Sequence, residues 1–139
     1  MAPQLQPIET TVAALPNRPI TDEEGAAMAR AAVRLFERWK ISDKEAVVLL
    51  GGLSPRTYAR WKAGQLGRLD RDRKARLSNL MGIHKALRLT FTDPDRVYRW
   101  VRRPNAVFGG RSALDVMLDG ELTDLMRVRR YLDAERGAW

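Results

Sequence analysis

With 139 residues, no cysteine and one histidine, the chain offers no disulfide framework, no thiolate nucleophile and no histidine–cysteine set for a metal. No apolar run nears the roughly 20 residues needed to cross a bilayer, and the start lacks the basic-then-apolar pattern of a signal peptide, so a cytoplasmic protein without membrane contact is expected. A formal net charge of +8 and an isoelectric point near 10.6 favour a polyanionic partner.

Residues 1–20 form the first segment. Four prolines (Pro3, Pro7, Pro16, Pro19) and the absence of a helical stripe predict a mobile N-terminal arm. Thr21 with Glu24 three residues later has the spacing of a capping box and starts the first helix. Met28, Ala31, Ala32, Leu35, Phe36 and Trp39 then recur at helical spacing and mark its core face. Ser42 with Glu45 caps a second helix, whose buried side is Ala46, Val47, Leu49 and Leu50, and Gly51–Gly52 closes it.

Ser54 begins the next element as an N-cap, with Pro55 at the first helical position and Gly64 at the end. Helix, short glycine turn, helix is the pattern of a DNA-binding helix-turn-helix. Leu53, Tyr58 and Trp61 fall on the inward side; Ser54, Arg56, Thr57 and Arg60 fall where the helix would face a groove. Trp61 is read as core rather than as a base-stacking ring. Between Arg56 and Arg76 there are eight basic residues and two acids, which concentrates positive charge on and just after this helix. Arg56, Thr57 and Arg60 are the expected base contacts, where a bidentate arginine to guanine is worth about 1–3 kcal/mol of discrimination. Lys44, Lys62, Arg68 and Lys74 are the expected phosphate contacts, which position without specifying. The segment from Gly52 to Trp61 resembles the Xre/Cro-like repressors in residue type. Val48 departs from the alanine favoured between the two helices there, and the extra Gly51 leaves the register open by about one residue.

A fourth helix is predicted from Asp70 to Leu89, with Leu77, Leu80, Met81, His84 and Leu87 on one face. His84 has no cysteine or carboxylate neighbours at ligand spacing and reads as structural, not metal-binding. With it closes a helix-turn-helix unit over residues 21–91. Asp93 and Pro94 restart the chain in a short helix that buries Val97, Trp100 and Val101, and Arg102 to Asn105 break it. Phe108–Gly109–Gly110 is a tight connection. Ser112 and Asp115 cap a further short helix ending at Gly120, and a last helix runs from Glu121 to about Arg136 with Leu122, Leu125, Met126, Val128 and Leu132 inward. The glycine pair before a helix start could cradle a phosphate, but without a preceding strand a tight corner is the preferred reading. No strand pattern or repeat is visible, so the fold is all-α: a helix-turn-helix bundle followed by a small helical domain over residues 92–139.

That second half resembles the toxin-binding domain of the Xre/MbcA/ParS antitoxins. Trp100, Pro104, Asn105, the run from Phe108 to Met117, and the last helix from Val128 to Gly137 carry the resemblance, which extends over about residues 21–139. It implies an antitoxin of a type II toxin–antitoxin pair. The partner would be a RES-domain toxin that degrades NAD or transfers its ADP-ribose. The helix-turn-helix would bind operator DNA and repress the operon, with two half-sites read by a homodimer. No cofactor is implied.

A mechanism of inhibition can be read beside the resemblance. A pocket for an anionic dinucleotide should carry basic groups. Asp133, Glu135 and the carboxylate of Trp139 are acids that could enter it, and Trp139 is a hot-spot residue type. The expected toxin-binding residues are therefore Tyr131, Asp133, Glu135, Arg136 and Trp139, together with Arg111, which either touches the partner or ties down its corner. A stand-alone helix-turn-helix regulator with a helical dimerisation domain is the competing reading. An enzyme is not expected, since no nucleophile motif, metal cluster or acid–base constellation is present.

Overall fold

Among the described residues, side-chain caps set the start of six of the seven α-helices. The computed structural model describes residues 18–137, so most of the predicted N-terminal arm, and Trp139, lie outside the described residues. Helix α1 spans Asp22–Arg38, α2 Asp43–Leu49, α3 Pro55–Lys62 and α4 Arg71–Thr90. Helix α5 spans Pro94–Arg102, α6 Ala113–Met117 and α7 Leu122–Gly137, with one 3-10 turn at Ala106–Phe108. Among the described residues there is no strand, only an isolated bridge between Pro104 and Ser112. The capping boxes at Thr21/Glu24, Ser42/Glu45 and Ser112/Asp115 all form. Each satisfies two otherwise orphaned amides, and losing the hydroxyl of such a cap costs about 1 kcal/mol.

The end of α1 combines a local turn with a distant donor. After α1, Lys40 takes a left-handed backbone at φ 54°. This lets the Ile41 N–H donate to the Phe36 carbonyl at 2.8 Å and the Lys40 N–H to the Glu37 carbonyl at 3.1 Å. Arg102 reaches across from α5 and donates to the free carbonyls of Trp39 and Lys40, at 3.1 and 2.7 Å. A side chain from the C-terminal half thus caps the first helix of the N-terminal half.

The longest helix, α4, is the spine. It packs on α1 and on α7, and a continuous apolar core runs through it, from Phe36, Trp39, Leu49 and Leu50 to Val101, Met117 and Leu125. Each such side chain, fully buried, contributes about 1.5–3 kcal/mol. Because α4 is covered on two sides, its buried surface is broader than one stripe. Ile83 and Ala86 are buried beside Leu77, Leu80 and Leu87, whereas Met81 and His84, expected on the inner face, are half-buried at its edge. In α7, Leu125, Val128 and Leu132 are buried as expected; Leu122 and Met126 are half-buried.

One buried ion joins the two halves. Arg76, 7% exposed, donates from Nε to Asp72 at 3.0 Å and from its guanidinium to the Gly120 carbonyl at 2.8 Å. It also packs on Gly51, the first residue of the α2–α3 turn. A Cβ there would sit 2.6 Å from Arg76 Nε, and Gly51 has φ +83°. Glycine is required at this position for both space and backbone angle.

Candidate nucleic-acid interface and partner face

Helix α3 is set by what it buries. Leu53, Tyr58 and Trp61 are 6%, 3% and 3% exposed, and Tyr58 packs on Phe36 of α1 with ring centroids 6.5 Å apart. Trp61 is therefore core, and its indole does not present a face to a base. Burial, with Asp43 and Glu37 nearby, pushes the Tyr58 hydroxyl up to about 12. The opposite side of the helix is open. Arg56 and Arg60, four residues apart and so on one face, are exposed, and Thr57 stands at its border. Neither arginine has an ion-pair partner among the described residues. Ser54 and Thr57 hold each other. The Ser54 hydroxyl accepts from the Thr57 N–H at 3.1 Å and donates to the Thr57 hydroxyl at 2.8 Å.

The expected phosphate contacts separate into two kinds. Lys44 and Arg68 are exposed and without an ion-pair partner within 4.0 Å among the described residues. Lys62 instead pairs with Asp43 of α2 at 2.7 Å and sits 5.4 Å from the Tyr58 ring centre. Lys74 pairs with Asp22 of α1 at 2.8 Å and donates to the Ile20 carbonyl at 3.2 Å. These two lysines tie neighbouring helices together. Arg76, counted by sequence within the basic cluster, is buried and bonded to Asp72 and the Gly120 carbonyl, so it is not available to touch a phosphate.

In the C-terminal half the glycine corner is closed on itself. The amides of Gly109, Gly110 and Arg111 donate to the carbonyls of Ala106, Asn105 and Phe108, at 3.0, 3.0 and 3.3 Å. No amide of that run is left for a phosphate, which is the tight-corner reading. Arg111 clamps the corner: it forms two hydrogen bonds to Asp119, at 2.8 and 2.7 Å, and donates to the Asp115 carbonyl at 2.9 Å. The pairing holds the Asp119 carboxyl below its ordinary range and raises Arg111.

The last helix shows one side to the core and one to solvent. Tyr131 is half-buried, stacked on Trp100 at 6.4 Å and edge-on to Phe108 at 5.5 Å. Asp133 lies 3.8 Å from both Arg129 and Arg136. Glu135 and Arg136 are exposed. The structure thus brings Tyr131 to the same aromatic nest as the corner motif, while Asp133, Glu135 and Arg136 project beyond it. Val107, in the 3-10 turn at this corner, is a large apolar side chain left 45% exposed. Sequence periodicity did not single out this residue, because an apolar side chain in a three-residue turn belongs to no stripe.

Two family models cover nearly the whole of this architecture. The antitoxin Xre-like helix-turn-helix domain matches residues 18–82, and the antitoxin Xre/MbcA/ParS C-terminal toxin-binding domain matches residues 86–137. This chain belongs to the Xre-type antitoxins. An uncharacterized protein of Sinorhizobium fredii (strain NBRC 101917 / NGR234), y4oB, is 45% identical to the antitoxin over 111 residues, which is 80% of this chain and 85% of that protein. The two matched regions of the antitoxin meet inside α4, between Gly82 and Ala86. Among the described residues of the antitoxin no three histidine, cysteine or acidic side chains converge to hold a metal ion, and no helix is long and apolar enough to cross a membrane.

Proposed function

We propose that this antitoxin neutralises a RES-domain, NAD-consuming toxin in the cytoplasm and, as a homodimer, represses its own operon through α3. The observation that carries the DNA half is the unpaired Arg56–Thr57–Arg60 face on a helix whose other side is locked into the core. Arg56, Thr57 and Arg60 read base edges. Lys44 and Arg68 hold phosphates from either side, while Lys62 and Lys74 shape the unit from within. Ser54 fixes the start of the reading helix.

For the toxin half, the reading rests on the family's toxin-binding domain and on the exposed end of α7. Tyr131 anchors that end against Trp100 and Phe108. Beyond it Asp133 and Glu135 enter the toxin's anion-accepting pocket, Arg136 and the Trp139 side chain contact the toxin beside that pocket, and Arg111 supports the adjoining corner rather than the contact itself.

The test is co-expression with the neighbouring gene. A RES-like protein that is toxic alone, harmless with this chain and co-purified with it is the expected result. A chain shortened after Ala134 is expected to fold and still bind operator DNA while failing to protect. Full protection by that shortened chain would refute the plug. A harmless neighbour with no affinity for this chain would refute the pairing and favour the stand-alone regulator.

A further inference from the structure

A cleft of about 430 Å³ opens between the end of α1, the second half of α4 and the start of α5, a size typical of small-ligand sites. It uses none of the residues assigned to DNA or toxin above, and it lies where the two matched regions join. Leu35, Trp39 and Val97, all nearly or fully buried, form its floor. Arg38, Lys40 and Arg88, all exposed, stand around its rim. None of these three cations has a carboxylate within 4.0 Å among the described residues. His84 lines the same cleft, and its Nδ1 is buried without a hydrogen-bond partner. An apolar floor under unpaired cations, with one idle imidazole nitrogen, fits a particular kind of ligand. We propose that this cleft binds a small organic anion, an apolar body bearing one carboxylate or phosphate group.

Charge around His84 makes the occupancy legible. It faces Arg38 and Lys40 from α1 and its end, Arg88 from its own helix, and Asp95 and Tyr98 from α5. Burial first, and then Arg88 and Arg38, hold the imidazole below its ordinary pKa, so it is neutral near pH 7. An anion seated among these cations offsets their field and favours the imidazolium. Binding therefore takes up a proton at His84.

The chain has one histidine, so its imidazole resonances can be followed by NMR in the full-length protein without overlap. The probe is phenyl phosphate, with inorganic phosphate and benzyl alcohol as charge-only and ring-only controls. Phenyl phosphate is expected to shift the imidazole signals saturably near about 1 mM. It should also raise the His84 pKa, read from the imidazole titration with and without the ligand. The double variant Arg38→Gln/Arg88→Gln alters only exposed side chains and should weaken binding by at least about tenfold. No saturable shift by about 10 mM, equal binding of either control, or unchanged affinity in the double variant would each overturn the assignment.

Discussion

Replacing Arg76 by methionine keeps the aliphatic stem and deletes the guanidinium that joins the turn before α3, α4 and the segment before α7. Its bond to Asp72 is worth little, because that carboxylate side chain is 52% exposed and rehydrates when released. The bond to the Gly120 carbonyl, at 2.8 Å and from a donor 8% exposed, is charge-assisted and partly buried, worth about 1.5–3 kcal/mol. The variant should therefore be destabilised by about 2–3 kcal/mol. For a chain of this length that lowers Tm by about 6–12 °C. Urea unfolding should show the midpoint falling with little change in slope. Gly51→Ala supplies the second arm, since its Cβ meets Arg76 Nε and Cζ at 2.6 and 2.9 Å. In an Arg76→Ala background, which removes every Arg76 atom that this Cβ meets, the collision is relieved, so the double variant should lose less than the sum of the two single losses. Stability within about 0.5 kcal/mol of the parent for Arg76→Met would mean the guanidinium is merely tolerated, and the reasoning fails.

Lys40→Gly removes an L-residue from a left-handed backbone at φ 54° but also a cation 5.2 Å from the Tyr98 ring centre. The first effect, about 1 kcal/mol, exceeds the second, about 0.5, so a slightly raised Tm is expected, and a fall beyond about 0.5 kcal/mol contradicts it. Arg60→Ala should lower operator affinity by about tenfold or more in a gel-shift or anisotropy assay and leave the protein partner's affinity intact; equal loss of both would show the faces are not separable. Glu24 is held at about 2, against an ordinary 4.5, by paired hydrogen bonds from Arg18 and by Thr21. Because the folded-state value is depressed, its stabilisation is complete above pH 4.5 and is lost as pH falls toward 2. Thermal melts of Glu24→Gln across that window should show a shallower acid-side fall than the parent, and parallel curves would refute the assignment.

Local chemistry made most of the helix map legible. Thr21, Ser42, Ser54, Asp70, Asp93 and Ser112 each announce a helix start because the cap is decided within four residues. The likeness of the segment from Gly52 to Trp61 to Xre/Cro-like repressors puts Tyr58 and Trp61 on the inward side, where both are buried. What spacing could not supply was pairing over distance. Lys62, Lys74 and Arg76 look alike in a basic run, yet their partners Asp43, Asp22 and Gly120 lie 19, 52 and 44 residues away. The same holds for Arg102, which appears in sequence as a helix breaker and in space as the cap of α1. Ile83 falls outside the single stripe that helical spacing predicts, because α4 is packed on two sides. The cleft at His84 is assembled from three helices and leaves no trace in any one of them.

The spine has a consequence for turnover. Leu77, Leu80, Ile83 and Leu87 of α4 are fully buried and belong to the one core shared by both matched regions. A core shared in this way opens as one cooperative unit. A protease that pulls on either end must therefore dissolve the other half as well, and no long-lived fragment should survive that keeps the α3 face without the C-terminal corner. Degradation of this antitoxin would then act as a single event, removing its helix-turn-helix and its toxin-binding domain together.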